Sequence, residues 1–169
     1  MEIKIKHFNE DYPRLEKLQQ GDWIDLRVDS IDGGKWDTGY FKEITDDGTI
    51  VNLGHKEYIS YDKGDIIKFR LGVAMELPEG YEAHVVPRSS TRRKFGLVQT
   101  NSIGIIDNSY NGDGDEWMVE FVAVEDGVIE RFDRVCQFRI VENQPSIDMV
   151  EVEHLGNKDR GGYGSTGVK

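Results

Sequence analysis

The chain has 169 residues, of which 37% are hydrophobic, 31% charged and 10% aromatic. These proportions exclude the apolar-poor composition of a disordered chain, and the length suits one domain with a single core. The formal net charge of −11 argues against sequence-independent binding of nucleic acid, because a phosphate backbone is held mainly by Lys and Arg. An anionic ligand would therefore require a local basic cluster or a divalent cation.

The sequence contains no apolar run as long as the ~18 residues of a membrane span. Its start, Met1 to Lys6, also lacks the apolar stretch of a signal peptide. We therefore expect no membrane partner and a cytoplasmic location. Cys136 is the single cysteine, which excludes an intrachain disulfide and a cysteine-rich zinc site.

The predicted elements begin with one short helix over Asp11–Gln20, where Asp11 is suited to the N-cap and Pro13 to the first turn. Most of the remaining periodicity is two-residue and predicts strands. The clearest strands are Ile66–Leu71, Glu82–Val86, Trp117–Val122 and Val135–Val141. Turns rich in Gly and Asp separate them, which favours an all-β sandwich or barrel in one domain.

The last segment, 156–169, contains five glycines and few apolar residues. Such a segment has little to bury, so we expect a β domain over 1–155 followed by a mobile C-terminal arm over 156–169.

A basic cluster follows one predicted strand, in Pro87–Lys94. Its arginines, hydroxyls and backbone N–H groups suit a phosphate, and a helix beginning near Ser89 would add its dipole. A solvated basic turn explains the same residues equally well.

The segment Gly96–Gly112 leads from two strand-like stretches to Asp107 and Tyr110. A carboxylate beside apolar residues can act as a general base, and the Tyr110 ring could contact a sugar or a base. The simpler interpretation is a hairpin and an Asx turn, in which Asp107 binds nearby backbone N–H groups. A calcium loop is excluded because its twelfth position, which requires Glu, is Met118.

A glycine-rich stretch near the end, Arg160–Gly167, permits close backbone approach to a ligand, and its hydroxyls could donate to phosphate oxygens. Its alternative is an unstructured C-terminus without a ligand.

Together these segments resemble, in order and spacing, the five motifs of the trimeric dUTPase (dUTP pyrophosphatase) family, especially its Bacillus and Gram-positive phage members. The motifs are Gly21–Leu26, Pro87–Ser90, Gly96–Gly112, Asp133–Gln137 and Arg160–Gly167. The resemblance implies an all-β, jelly-roll-like distorted barrel assembled as a homotrimer. The first, second and fourth motifs of each site would come from one subunit, the third from another, and the arm from the remaining one.

The resemblance also implies the reaction, which is hydrolysis of dUTP to dUMP and pyrophosphate and limits uracil incorporation into DNA. Asp107 would activate the water, Tyr110 would lie under the sugar, and Asn101 with the hairpin around Gly104 and Ile106 would bind the uracil edge. The phosphates would contact Arg88, Ser89, Ser90 and Gln137. Asp25 would orient Mg²⁺ through water.

The arm would close over the ligand with Arg160, Gly164, Ser165 and Thr166 on the phosphates. Tyr163 stands where many family members stack an aromatic ring over uracil, and Trp117 is a competing candidate for that role.

The stretch Ile31–Tyr58 departs from compact family members and reads as an added hairpin. It is either a surface decoration or a module for a regulatory protein partner.

Two other functions stay open. One is dCTP deaminase, alone or combined with dUTPase activity, in which Glu120 would activate water. The other is a nucleotide-gated regulatory binding protein that uses the 31–58 hairpin.

Overall fold

The computed structural model describes residues 1–17, 19, 21–34, 36–44 and 50–161. Within these residues it contains thirteen strands and one helix. The strands are β1 (Lys4–His7), β2 (Ile24–Arg27), β3 (Ser30–Ile31), β4 (Asp37–Ile44), β5 (Ile50–Tyr61), β6 (Ile66–Arg70), β7 (Val73–Glu76), β8 (Tyr81–Pro87), β9 (Leu97–Gln99), β10 (Gly104–Asp107), β11 (Met118–Ala123), β12 (Gly127–Glu130) and β13 (Arg134–Glu142). The helix, α1, spans Thr91–Phe95.

Two four-stranded antiparallel sheets form the body, in the orders β10-β8-β13-β2 and β3-β6-β11-β9. The inner faces of the sheets are apolar because successive side chains of a strand point to opposite faces. In β11, Val119, Phe121 and Ala123 point inward, whereas Glu120 points outward. The inner faces meet in one core cluster, in which Trp117 packs edge-to-face on Phe138 with ring centroids 5.3 Å apart. The predicted all-β class is confirmed. Among the described residues, however, the sheets stay open, so the expected barrel is not closed.

The N-terminal helix is not present in the described part of Asp11–Gln20, which forms a turn followed by irregular chain. Tyr12 is buried in the core, and its hydroxyl accepts a hydrogen bond from the backbone N–H of Arg27 at 3.0 Å. Pro13 disfavours a helical conformation for Tyr12. Core packing of this one side chain and the following proline therefore outweigh the capping pattern.

The stretch expected to form an added hairpin does so, because β4 and β5 pair antiparallel and β12 pairs with the other edge of β5. Its base is tied to the body by Trp36, whose Nε1–H donates to the Asp29 carbonyl at 3.0 Å. Arg131 contacts both Glu57, at 2.7 Å, and Asp29, at 3.3 Å. A role for the 31–58 hairpin in binding a partner stays a prediction.

The last strand ends at Glu142, and residues 144–161 are exposed without regular secondary structure. This exposed segment begins earlier than the arm predicted from the sequence. It carries large apolar side chains in the open, with Met149 87% and Leu155 84% exposed. Among the described residues, no helix has the length and apolar character needed to cross a membrane.

Candidate active site

The first cluster of candidate residues lies at the end of β10. Asp107 is the last residue of this strand and is exposed. Its Oδ1 accepts hydrogen bonds from the backbone N–H of Ser109, at 2.8 Å, and from the Ser109 hydroxyl. Tyr110 follows, and its hydroxyl donates to the Glu116 carbonyl at 3.2 Å. The turn therefore fixes one oxygen of an exposed carboxylate.

The same contacts determine the charge of Asp107. The Ser109 hydroxyl and then the Ser109 N–H hold the pKa of the Asp107 carboxyl below its ordinary value. The carboxylate is consequently ionised throughout the physiological pH range. The Asx turn expected as the simpler interpretation is present, and it leaves a charged, oriented carboxylate at the surface.

A cleft of about 480 Å³ begins at this carboxylate and is lined by Ile106, Tyr110 and Trp117 among others. A neighbouring cleft of about 250 Å³ is lined by Asn101 and Gly104. The third-motif residues are thus brought together around two adjoining spaces, one with a carboxylate and an aromatic ring, the other with an amide.

The second cluster surrounds Asp25 on β2. The Asp25 Oδ1 contacts Arg88 Nε at 2.7 Å, and its Oδ2 contacts Arg134 Nη1 at 3.0 Å. Gln137 lies directly opposite Asp25 in the β2–β13 ladder. Its amide Nε2 donates weakly to the Pro87 carbonyl at 3.5 Å. One carboxylate, two guanidinium groups and one amide thus share this end of the sheet.

The loop after β8 is held in place by Thr91, the first residue of α1. Its buried hydroxyl donates to the Val135 carbonyl at 2.7 Å and accepts from the Arg88 N–H at 3.1 Å. Ser90 is the N-cap residue but makes no side-chain capping bond. The hydroxyls of Ser89 and Ser90 therefore remain available to a ligand beside the Asp25 cluster.

The two clusters do not meet within one chain. Asp107 pairs with Glu82, which pairs with Val141, whereas Asp25 pairs with Gln137, four residues earlier on β13. Three strand spacings across the sheet are about 14 Å and four residues along a strand about 13 Å, so the Cα atoms are roughly 19 Å apart. A single copy therefore presents two half-sites at opposite corners of one sheet.

The remaining predicted residues lie as follows. Trp117 is fully buried in the core although it borders the cleft beside Tyr110, and its role over a base stays a prediction. Arg160 is exposed in the terminal segment. Tyr163, Gly164, Ser165 and Thr166 lie outside the described residues. Glu120 is exposed and accepts a hydrogen bond from the Thr100 hydroxyl at 2.9 Å.

Two residues of the site were missed by the sequence analysis. Arg134 belongs to the fourth motif but received no role, although it contacts Asp25. Gln99 is buried and bonded to Asn101. An inward-facing polar residue in the otherwise apolar strand β9 was the signal that could have identified Gln99.

The described residues contain no group of three or more His, Cys, Asp or Glu side chains that could hold a metal ion. Asp25 is the carboxylate that contacts both arginines, and Glu16 lines the same cleft. This donor set fits only a hard cation that takes most of its ligands from water and a bound polyphosphate.

The sheet architecture defines a β-protein of the jelly-roll type, and comparison with known proteins identifies its family. The protein-family model described as dUTPase matches residues 53–167. The SPbeta prophage-derived deoxyuridine 5′-triphosphate nucleotidohydrolase of Bacillus subtilis is 47% identical over 169 residues, with 100% of both chains covered. The chain therefore belongs to the dUTPase family.

Solved structures agree with this at the level of the fold. The dUTPase of Staphylococcus bacteriophage 80alpha with dUPNHPP has a TM-score of 0.68 at 17% identity, covering 99% of both chains. A mutant dUTPase from phage phi11 of Staphylococcus aureus, described with a structural Mg(II) ion, has a TM-score of 0.65 at 14% identity, covering 92% of this chain and 99% of its own. At such identities the likeness concerns the fold alone.

Proposed function

We propose that the protein hydrolyses dUTP to dUMP and pyrophosphate. The observation that carries the proposal is the ionised Asp107 carboxylate, held by its turn at the mouth of a cleft that also contains the Tyr110 ring. Membership of the dUTPase family and the name of the prophage relative support the substrate.

In this reaction a water held by the Asp107 carboxylate attacks the α-phosphorus and passes one proton to that carboxylate as the new bond forms. The bond from the α-phosphorus to the oxygen that bridges it to the β-phosphorus breaks, and pyrophosphate leaves with that oxygen. The lowered pKa keeps the Asp107 carboxyl ionised before the attack, so that it can orient the water and stabilise the positive charge that develops on it.

The base and sugar would occupy the clefts beside Asp107. Asn101 would bind the uracil edge, with the backbone of Gly104 and Ile106 beside it, while Tyr110 would lie under the deoxyribose. The phosphates would bind the other cluster, where Arg88 is shared with Asp25 and where Ser90 and Gln137 offer donors that the protein uses little itself, with Ser89 beside them.

Mg²⁺ is the expected cofactor. Asp25 would hold it through water, with triphosphate oxygens as the remaining ligands, and the ion would neutralise phosphate charge. The protein's negative net charge of −11 makes such a cation useful for a tetra-anionic substrate.

A homotrimer would join the two half-sites, with Asp107 of one copy facing the Asp25 cluster of the next. The estimated separation of the half-sites supports this, as do the apolar side chains exposed in segment 144–161, which need a surface to cover them. The arm of a further copy, with Arg160 and the residues after it, would close over the ligand as a lid.

Purified protein assayed with dUTP and Mg²⁺ tests the proposal directly. Wild-type protein should release pyrophosphate, and Asp107→Asn should lose turnover by at least about a hundredfold while binding dUMP nearly as well, because the fold and the base cleft are unchanged. Full turnover by Asp107→Asn would show that Asp107 is not the base.

The same assay with dCTP separates the deaminase alternative. We expect pyrophosphate from dUTP and no ammonia from dCTP. Glu120 lines the cleft that contains Asn101 and bonds to Thr100, so Glu120→Gln should change at most the KM for dUTP and leave kcat intact. Ammonia released from dCTP would instead assign the protein to deamination.

A further inference from the structure

The buried side-chain amide of Gln99 lies next to Asn101, the residue expected to bind the base. Gln99 is 5% exposed, and its Nε2 lies 3.2 Å from the Val85 carbonyl oxygen and 2.9 Å from Asn101 Oδ1. Both residues line the cleft of about 250 Å³ that also contains Gly104. Gln99 is thus in contact with the proposed base-reading residue without itself being at the surface.

The orientation of both amides follows from the backbone. A carbonyl oxygen only accepts hydrogen bonds, so the atom of Gln99 that faces Val85 O must be its NH₂ nitrogen. The second hydrogen of this nitrogen reaches Asn101, and the Asn101 atom that receives it must be an oxygen. The amide of Asn101 is therefore oriented with Nδ2 directed away from Gln99.

The Nδ2 group of Asn101 is the end left for a ligand. It makes no hydrogen bond within the described chain, and a Cβ added at Gly104 would lie 3.8 Å from it, so it faces the glycine backbone in the cleft. Through Gln99, the cleft presents a hydrogen-bond donor at this point.

We propose that Gln99 is a positioning residue that sets the base preference of the site, by holding Asn101 so that it donates to the C4 substituent of a pyrimidine. A C4 carbonyl, as in uracil, accepts this hydrogen bond. A C4 amino group, as in cytosine, would set donor against donor and leave both unpaired, which is costly in a cleft. The inference rests on the proposed function, because it assumes a nucleotide base beside Asn101.

The Oε1 atom of Gln99 indicates that this side chain has a role besides packing in the core. Its Oε1 is buried with no hydrogen-bond partner in the described chain. An apolar residue of similar size would avoid that cost, so packing alone does not account for an amide at this position.

The test is Gln99→Leu, with Gln99→Met as a second variant of similar volume. Both should fold with an unfolding temperature close to that of wild type, because loss of the two hydrogen bonds that Gln99 donates is partly offset by removal of its unpaired buried acceptor. The ratio of dUMP to dCMP affinity, measured by calorimetry, should fall by about three- to tenfold, the value of one oriented neutral hydrogen bond. For dUTP, KM should rise while kcat stays within about twofold.

Thr100→Ser is the matched control, because Thr100 lies between the two residues in sequence and serine keeps the hydroxyl that bonds to Glu120 in the same cleft. It should leave the dUMP to dCMP ratio unchanged. In an Asn101→Ala background, adding Gln99→Leu should change the ratio by less than about twofold, because Gln99 acts only through Asn101.

A folded Gln99→Leu protein with the wild-type ratio would overturn the inference, as would an equal loss of affinity for both nucleotides. Wild-type protein without dUTP turnover would overturn the proposed function itself and this inference with it. The two failures are distinguished by the wild-type assay.

Discussion

Ser109 lowers the pKa of the Asp107 carboxyl and orients this side chain. Its hydroxyl and its backbone N–H bind the same carboxylate oxygen. A lowered folded-state pKa means that the ionised carboxylate favours the folded turn above the pKa of the unfolded chain, and that this preference is lost as the pH falls through the folded value. The side chain is fully exposed, so its effect on overall stability is small.

Ser109→Ala should raise the pKa of Asp107 toward the ordinary value, because the largest cause of the depression is removed. The acid limb of the pH–rate profile should move to higher pH, and a carboxyl ¹³C NMR titration should record the same shift. Ser109→Thr keeps the hydroxyl and should behave like wild type. An unchanged Asp107 pKa in Ser109→Ala would contradict the assignment.

The sequence predicted roles for Asp107, Asn101 and Tyr110 because they belong to one short motif, and the structure brings the three residues together around two adjoining clefts. The sequence did not identify Gln99 or the pairing of Arg134 with Asp25, because both depend on contacts between strands far apart in the chain. A local sequence pattern predicts which residues bind or react. Which neighbouring side chain orients them depends on how the strands are paired.

At the scale of elements, two-residue alternation located the main strands to within a few residues, as β6, β8, β11 and β13 demonstrate. Alternation reflects burial on one face of a sheet, which these strands experience fully. The prediction of an N-terminal helix was wrong over the described residues, because Tyr12 is buried in the core, where its hydroxyl bonds to the backbone of Arg27. Capping residues and local composition do not predict a contact between residues that are distant in the sequence.

The hairpin of β4 and β5 depends on the contact at its base. Trp36→Phe should lower the free energy of unfolding by about 1–2 kcal/mol in urea denaturation, because it removes the hydrogen bond to the Asp29 carbonyl and part of a half-buried ring. Trp23→Phe is the control, since Trp23 is also half-buried but contacts Arg139 through its ring face. Equal losses in both variants would show that the hydrogen bond contributes nothing.

At the scale of the whole molecule, the strand order gives a physical reason for a separation that the motif resemblance only implied. Asp25 and Asp107 are at opposite edges of the β10-β8-β13-β2 sheet. The strand order shows that the two residues are separated within one copy. Whether one site is built from two copies can therefore be tested by mixing subunits.

Asp107→Asn and Gln137→Leu should each be inactive alone. After the two are unfolded together and reassembled, about a quarter of the sites should combine an intact Asp107 with an intact Gln137, because in the proposed trimer the two come from different copies. Turnover of dUTP should recover to that fraction of the wild-type rate.

The control is a mixture of Asp107→Asn with Asn101→Ala. Both residues belong to the same half-site, so no arrangement of copies restores a whole one, and turnover should stay at the level of the single variants. Absence of recovery in the first mixture would mean that each chain builds its own site.

The opposite-corner placement of Asp107 and Asp25 also governs how damage spreads when intact and defective genes are expressed together. In the proposed trimer, a copy with a damaged Asp107 would spoil the one site to which it lends that carboxylate, while its Asp25 corner would still serve a neighbour. With equal amounts of intact and damaged copies, about half of the sites would stay whole. Loss of activity would then be proportional to the fraction of damaged copies.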